Sequence, residues 1–161
     1  MTASIGPPTD ADRKFDPEAY LKAIDTTDFL RLVVSGHLYI EAVLIELIKK
    51  RLPSPSAIEL EELRFMQIVD LAVALDLLKA GERQPFRLLN KMRNKLAHEL
   101  GAIVTMGDVE DFLKAMAPEQ LRLIQGITGK PIRYGIDLQP ASLVLFVDLH
   151  SRLSRISQEE K

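Results

Sequence analysis

Apolar residues recur along this chain at helical spacing, and the polar residues between them mark where helices begin and end. Pro17 to Ala23 reads as a short helix, and Asp25, Thr26 and Thr27 supply N-cap candidates for a long one from about Asp28 to Arg51. Its apolar run from Phe29 to Ile48 is broken by Arg31, Ser35, Gly36, His37, Glu41 and Glu46, too many polar groups for a lipid-facing span. It is therefore a core helix. Pro53 and Pro55 stop it, since proline lacks the backbone N–H and restricts the residue before it. Ser56 and Glu59 have capping-box spacing, and Leu60, Leu63, Phe65, Ile68, Val69, Ala72 and Leu75 predict a third helix ending near Ala80 and Gly81.

Pro85 fits the first turn of a fourth helix and Gly101 the position just past its end. Thr105 and Asp108 again have capping spacing, ahead of Val109, Phe112, Leu113 and Met116, and Pro118 opens a short sixth segment through Ile124. Gly126 to Gln139 reads as a loop with some extended structure around Ile132 to Tyr134, long enough to act as a lid or contact arm. Pro140 opens a last helix whose apolar side holds Leu143, Val144, Phe146, Val147, His150 and Leu153. The pattern predicts an all-α protein, a compact helical bundle of about five to seven helices. Residues 17–157 form its single domain, after a flexible tail over 1–16 and before a frayed end over 158–161.

The fourth helix is the one place where basic and polar residues crowd a strongly helical run. Leu89, Met92, Leu96 and Leu100 repeat at spacings of three, four and four and mark its buried stripe. Arg87, Lys91 and Lys95 form a second stripe, with Asn94 beside them and His98 at the end. Asn94 and His98, four apart, share a face, whereas Arg93 and His98 diverge by roughly 140 degrees on a regular helix. They meet at one atom only if both lean around the edge, the helix bends, or a second copy completes the site.

Composition narrows the chemistry. With 161 residues the chain can bury a core without disulfide or metal, and without cysteine it has no thiol nucleophile and no thiolate zinc site. Three scattered histidines give no ligand spacing, so neither metal nor cofactor is expected. The first residues lack a basic start and an apolar core, which points to the cytoplasm. A net charge of −2 argues against a general nucleic-acid binder. Yet between Lys79 and Glu99 six basic residues face two acidic ones, a local excess that suits either a solvated helix face or a phosphate backbone. His37 and Glu41 share a face of the long helix; the expectation is that Glu41 faces Arg93 and positions its guanidinium, the alternative being a surface Glu–His pair.

Arg93-Asn94-Lys95-Leu96-Ala97-His98 near the end of a helix, with Gly36-His37-Leu38-Tyr39-Ile40-Glu41 two helices earlier, resembles the HEPN superfamily. Its motif is similar to that of bacterial members and of relatives of the mannitol operon repressor, and the resemblance covers roughly Phe29 to Leu100. Many HEPN proteins are metal-independent ribonucleases acting as dimers; others are binding or regulatory modules. In catalytic members the resemblance implies that Arg93 holds the scissile phosphate, His98 transfers the proton as the ribose 2′-hydroxyl attacks, and Asn94 orients one of them. Arg87, Lys91, Lys95, His37 and Glu41 would then help bind. Three features count against catalysis: the acidic balance, Glu99 beside His98, and no tyrosine after the histidine. The reading is a non-catalytic HEPN-like regulatory or interaction module in transcription regulation or a toxin–antitoxin or defence setting. Its implied partners are a second copy of the chain, RNA, and an antitoxin or regulatory protein. The alternative is a dimeric RNA-cleaving enzyme.

Overall fold

A computed structural model describes residues 17–129, 131 and 138–159. Seven α-helices and no strand lie among them: α1 Pro17–Ile24, α2 Phe29–Arg51, α3 Phe65–Ala74, α4 Arg83–His98, α5 Met106–Lys114, α6 Pro118–Thr128 and α7 Leu138–Glu159. This is the helical bundle the periodicity predicts. The extended structure expected around Ile132 to Tyr134 lies outside the described residues, as does the tail over 1–16. No described helix is long and apolar enough to cross a membrane.

Helix α2 is the axis of the bundle, packed against α1, α3, α4 and α7. Ile40, Val43, Leu44, Leu47 and Ile48 are all fully buried and make up one face of its second half, and Ala42 and Ile45 are buried outside that stripe, as the many neighbours of an internal helix require. Its start is set by Asp28, whose Oδ1 accepts the Leu30 N–H at 2.9 Å. Thr26, an expected cap, instead accepts the Asp28 N–H at 3.1 Å and braces the capping residue from outside.

Several expected boundaries move. Ser56 and Glu59 do not open a helix; Pro55–Ala57 and Leu60–Glu62 are separate 3₁₀ turns, pinned by fully buried Leu60. Helix α3 starts only at Phe65, where the Gln67 side chain accepts the Arg64 N–H at 2.9 Å. It ends at Ala74, well before Ala80, because Asp76 takes a left-handed conformation (φ 57°) that short polar side chains tolerate. Helix α6 runs on to Thr128 through Gly126 and is closed by left-handed Gly129. Helix α7 stays regular through Glu159, past the point where fraying is expected, and its Val147 is exposed while Ala141, Ser142, Leu145 and Leu149 are buried. The Thr105–Asp108 capping box forms as expected: Thr105 Oγ1 accepts the Asp108 N–H and Asp108 Oδ2 accepts the Thr105 N–H.

Two polar joints hold the helices in register. In the first, the Tyr20 phenol of α1 bonds Ser142 Oγ of α7 at 2.5 Å, directly over Gly36 of α2. Burial pushes the phenol pKa up despite that bond, so it stays protonated, and its ring stacks on Phe146 at 4.1 Å. In the second, Arg152 of α7 donates to the Leu77 carbonyl at 2.8 Å, to both Glu82 oxygens at 3.2 and 2.5 Å, and to Asp148 at 2.9 Å. Although burial raises it, the Glu82 carboxyl is held below the usual range by Arg152 and the Lys79 N–H. The α3–α4 connection is thereby fastened to α7.

A Cβ on Gly36 would lie 2.6 Å from Ser142 Oγ, a contact real side chains do not make. Gly36→Ala should therefore lower unfolding free energy by about 1–3 kcal/mol, the usual cost of overpacking. Ser142→Ala should itself cost about 1–3 kcal/mol by leaving the Tyr20 hydroxyl buried without a partner. The double variant Gly36→Ala/Ser142→Ala should lose measurably less than the sum in urea unfolding; simple additivity would mean that the two positions do not share this joint.

Candidate functional site

Helices α2 and α4 cross with the turn before α3 closing one end, and a cleft of about 490 Å³ opens where the three meet. From α2 it takes His37 and Glu41, from α4 Asn90, Arg93, Asn94 and His98, from the turn before α3 Leu63 and Arg64, and from the start of α3 Phe65 and Met66. Of the expected site residues, His37, Glu41, Arg93, Asn94 and His98 converge here, and Arg87, Lys91 and Lys95 do not. Arg93 and His98 line one cleft within a single chain, although a regular helix sets them far apart in angle.

His37 is the buried corner of this site, with 4% of its surface exposed. Its ring lies on Phe65 at a centroid distance of 4.1 Å, and Nε2 meets Asn90 Oδ1 at 3.2 Å. An amide oxygen only accepts, so Nε2 carries the proton and Nδ1 is left as a lone pair. That Nδ1 is buried and has no hydrogen-bond partner among the described residues; Glu41 Oε2 lies 4.0 Å away. Burial of the imidazole, opposed by the Asn90 bond and reinforced by the charge of Arg93, lowers its pKa to about 4. The 4.0 Å approach of Glu41 is beyond hydrogen-bond reach, and desolvation outweighs it. His37 is thus a neutral structural group at physiological pH.

The expected pairing of Glu41 with Arg93 does not form. Arg93 donates to Asn94 Oδ1 at 3.0 Å, and among the described residues no carboxylate comes within ion-pair distance of it. Glu41 approaches His37 instead, because the two are one helical turn apart while Arg93 leans toward its own neighbour. Asn94, not Glu41, positions the guanidinium.

A second, wider cleft of about 720 Å³ lies along the other flank of α4, lined by Arg87, Lys91, Lys95, Glu99 and Asp108. Asn90, Asn94 and His98 line this one too. Arg87 and Lys91 are exposed, as the basic stripe predicts. Lys95 is not available in the same way: its Nζ lies 3.3 Å from Asp108 Oδ2. Although burial pushes the Asp108 carboxyl up, its bonds from Thr105 and Lys95 hold it below its ordinary value. Leu100, expected on the buried stripe, is fully exposed, because α4 ends at His98 and the chain turns away; Leu89 and Met92 are buried and Leu96 half-buried.

Asn90, Arg64 and Met66 belong to the site without having been singled out by the sequence pattern. Asn90 was accessible to that reasoning, standing four residues before Asn94 as Asn94 stands before His98. Arg64 and Met66 reach the cleft only through the path of the α2–α3 connection, for which no local signal exists. His150 stacks against Phe146 within α7 at 6.0 Å, away from both clefts. Among the described residues no cluster of histidine and carboxylate groups could hold a metal ion. No family model, no curated protein and no solved structure matches this chain.

A histidine whose folded pKa lies below its unfolded value of 6.5 contributes stability above that value and loses it as pH falls toward the folded pKa. Between pH 7 and 4.5 the His37 contribution should decline by about 2 kcal/mol. In urea unfolding across this range, His37→Gln should lose about that much less stability than the wild type, and parallel pH profiles would remove the assignment.

Proposed function

We propose that this protein is a HEPN-like regulatory or interaction module that uses the Arg93 cleft to hold a phosphate group of RNA. The observation that carries the reading is the convergence of Arg93, Asn94 and His98 with His37 on one cleft. A guanidinium steadied by an amide and free of a carboxylate among the described residues keeps its charge for an incoming anion. His98, exposed at the end of α4, stands at the mouth and adds a second nitrogen donor. Through the resemblance, the module acts in the cytoplasm as a homodimer, in transcription regulation or a toxin–antitoxin or defence setting, with an antitoxin or regulatory protein as partner.

A second reading is metal-independent cleavage by 2′-hydroxyl attack. It is favoured by the shared cleft of Arg93 and His98. The chemistry needs one group to remove the hydroxyl proton and one to protonate the leaving oxygen. Each chain offers one imidazole for this, since His37 is buried, neutral and bonded to Asn90. Catalysis then requires two copies, each contributing His98, whereas holding a phosphate requires only one.

One experiment separates the readings: binding and cleavage of a mixed RNA pool in chelator by wild type, Arg93→Ala and His98→Ala. The module reading expects intact RNA and an affinity lowered about tenfold or more in Arg93→Ala, matching the loss of a charge-assisted hydrogen bond. Products with 2′,3′-cyclic phosphate ends, absent with both variants, would establish the ribonuclease. RNA neither bound nor cut by the folded wild type would end both.

A further inference from the structure

We propose that the ligand is an unpaired RNA strand that crosses α4, with one phosphate in the Arg93 cleft and a neighbouring one in the Arg87–Lys91 cleft. The inference rests on the RNA-binding reading above and specifies its ligand. Asn90, Asn94 and His98 stand four apart and form a ridge that both clefts share. A helix with its side chains is roughly 10 Å across, more than a single phosphate can bridge. A mononucleotide reaches one flank; a strand reaches both.

The ridge is built to donate. Asn90 Oδ1 is engaged by His37 and Asn94 Oδ1 by Arg93, so each amide has its oxygen occupied and leaves its NH₂ without a partner among the described residues. Phosphate and ribose oxygens are acceptors that such a row would meet. Across both clefts Arg64, Arg87, Lys91, Arg93 and Lys95 face Glu41, Glu99 and Asp108, five cations to three carboxylates. One cation, Lys95, is already paired with Asp108, so Arg87 and Lys91 carry the second flank.

The Arg93 cleft also has an apolar wall, made by Leu63, Phe65 and Met66, with Leu63 and Met66 half-buried and so still open to contact. An unpaired strand can lay a base against such a wall, whereas a duplex keeps its bases stacked inside. The other flank, lined by Arg87, Lys91 and Asp108, has no comparable wall and suits backbone contact alone.

The test measures binding of an unpaired RNA of about a dozen nucleotides, the matching duplex and uridine monophosphate across about 50 to 300 mM salt, in chelator. Wild type, Arg93→Ala and Arg87→Ala/Lys91→Ala are compared after circular dichroism shows each folded. The expected result is that Arg87→Ala/Lys91→Ala weakens the unpaired strand about tenfold or more, weakens the mononucleotide by a clearly smaller factor, and flattens the log–log salt slope by about 0.7, the value for one lost phosphate contact on a single strand. Unchanged strand affinity and slope in that variant, with Arg93→Ala still defective, would overturn the two-cleft path while leaving the RNA-binding reading in place. Equal affinity for the duplex, or displacement of the strand by an acidic peptide at equal concentration, would also overturn it. Absence of any RNA binding by wild type would remove both.

Discussion

The bond between His37 and Asn90 is the constraint on which the candidate site depends. An imidazole as deeply buried as His37 can stay neutral, but its N–H must still find an acceptor. Asn90 Oδ1 supplies it across the α2–α4 interface. Once Asn90 is turned toward α2, the rotation of α4 about its own axis is fixed. Asn94 and His98 follow on the same stripe, and Arg93, one position away from Asn94, is brought to the α2 side. A polar contact that stabilises packing thereby determines which face of α4 borders the cleft. Phe65 adds a second restraint by lying on the His37 ring, so the start of α3 is held against the same corner.

The arginines divide into two populations. Arg152 is clamped by Glu82, Asp148 and the Leu77 carbonyl, and Arg83 pairs with Asp70. These fix connections between helices. Arg93 is half-buried and among the described residues receives only an amide oxygen, while exposed Arg87 and Lys91 have no ion pair among those residues. In a chain of net charge −2 there are carboxylates enough to neutralise them, and the fold directs those carboxylates elsewhere. The surface of α4 is therefore positive although the protein is not, which is the field an anionic ligand would meet.

Much of this was legible in the residues, and the exceptions have physical causes. The helix bearing Arg93, the cap at Thr105 and the burial of α2 all follow from local periodicity and capping chemistry, which depend on neighbours in sequence, whereas the helix stops at His98, short of the end that Leu100 and Gly101 suggest. The Ser56–Glu59 spacing misled because fully buried Leu60 pins a 3₁₀ turn there, a demand of packing that overrides a local signal. Lys95 belonged to the basic stripe, but its charge is answered by Asp108 from a different helix. Glu41 had the right face and height for Arg93, yet side-chain reach, which spacing does not encode, left it beside His37. Arg64 and Met66 enter the cleft through a long-range approach of two segments and carry no local mark.

The angular separation of Arg93 and His98 has a resolution within one chain. The arginine side chain is long, and its bond to Asn94 draws the guanidinium around α4 toward the stripe that His98 occupies. His98 is the last helical residue, and Glu99 leaves in an extended conformation, so the histidine sits at an open end with no further turn above it. One residue leans forward and the other stands at the rim, and the cleft wraps the edge between them. A single chain can therefore present a cation and an imidazole to the same anion. A second proton-transfer group is a different requirement, because the only other imidazole at the cleft is committed to Asn90 and so does not add to the one His98 brings.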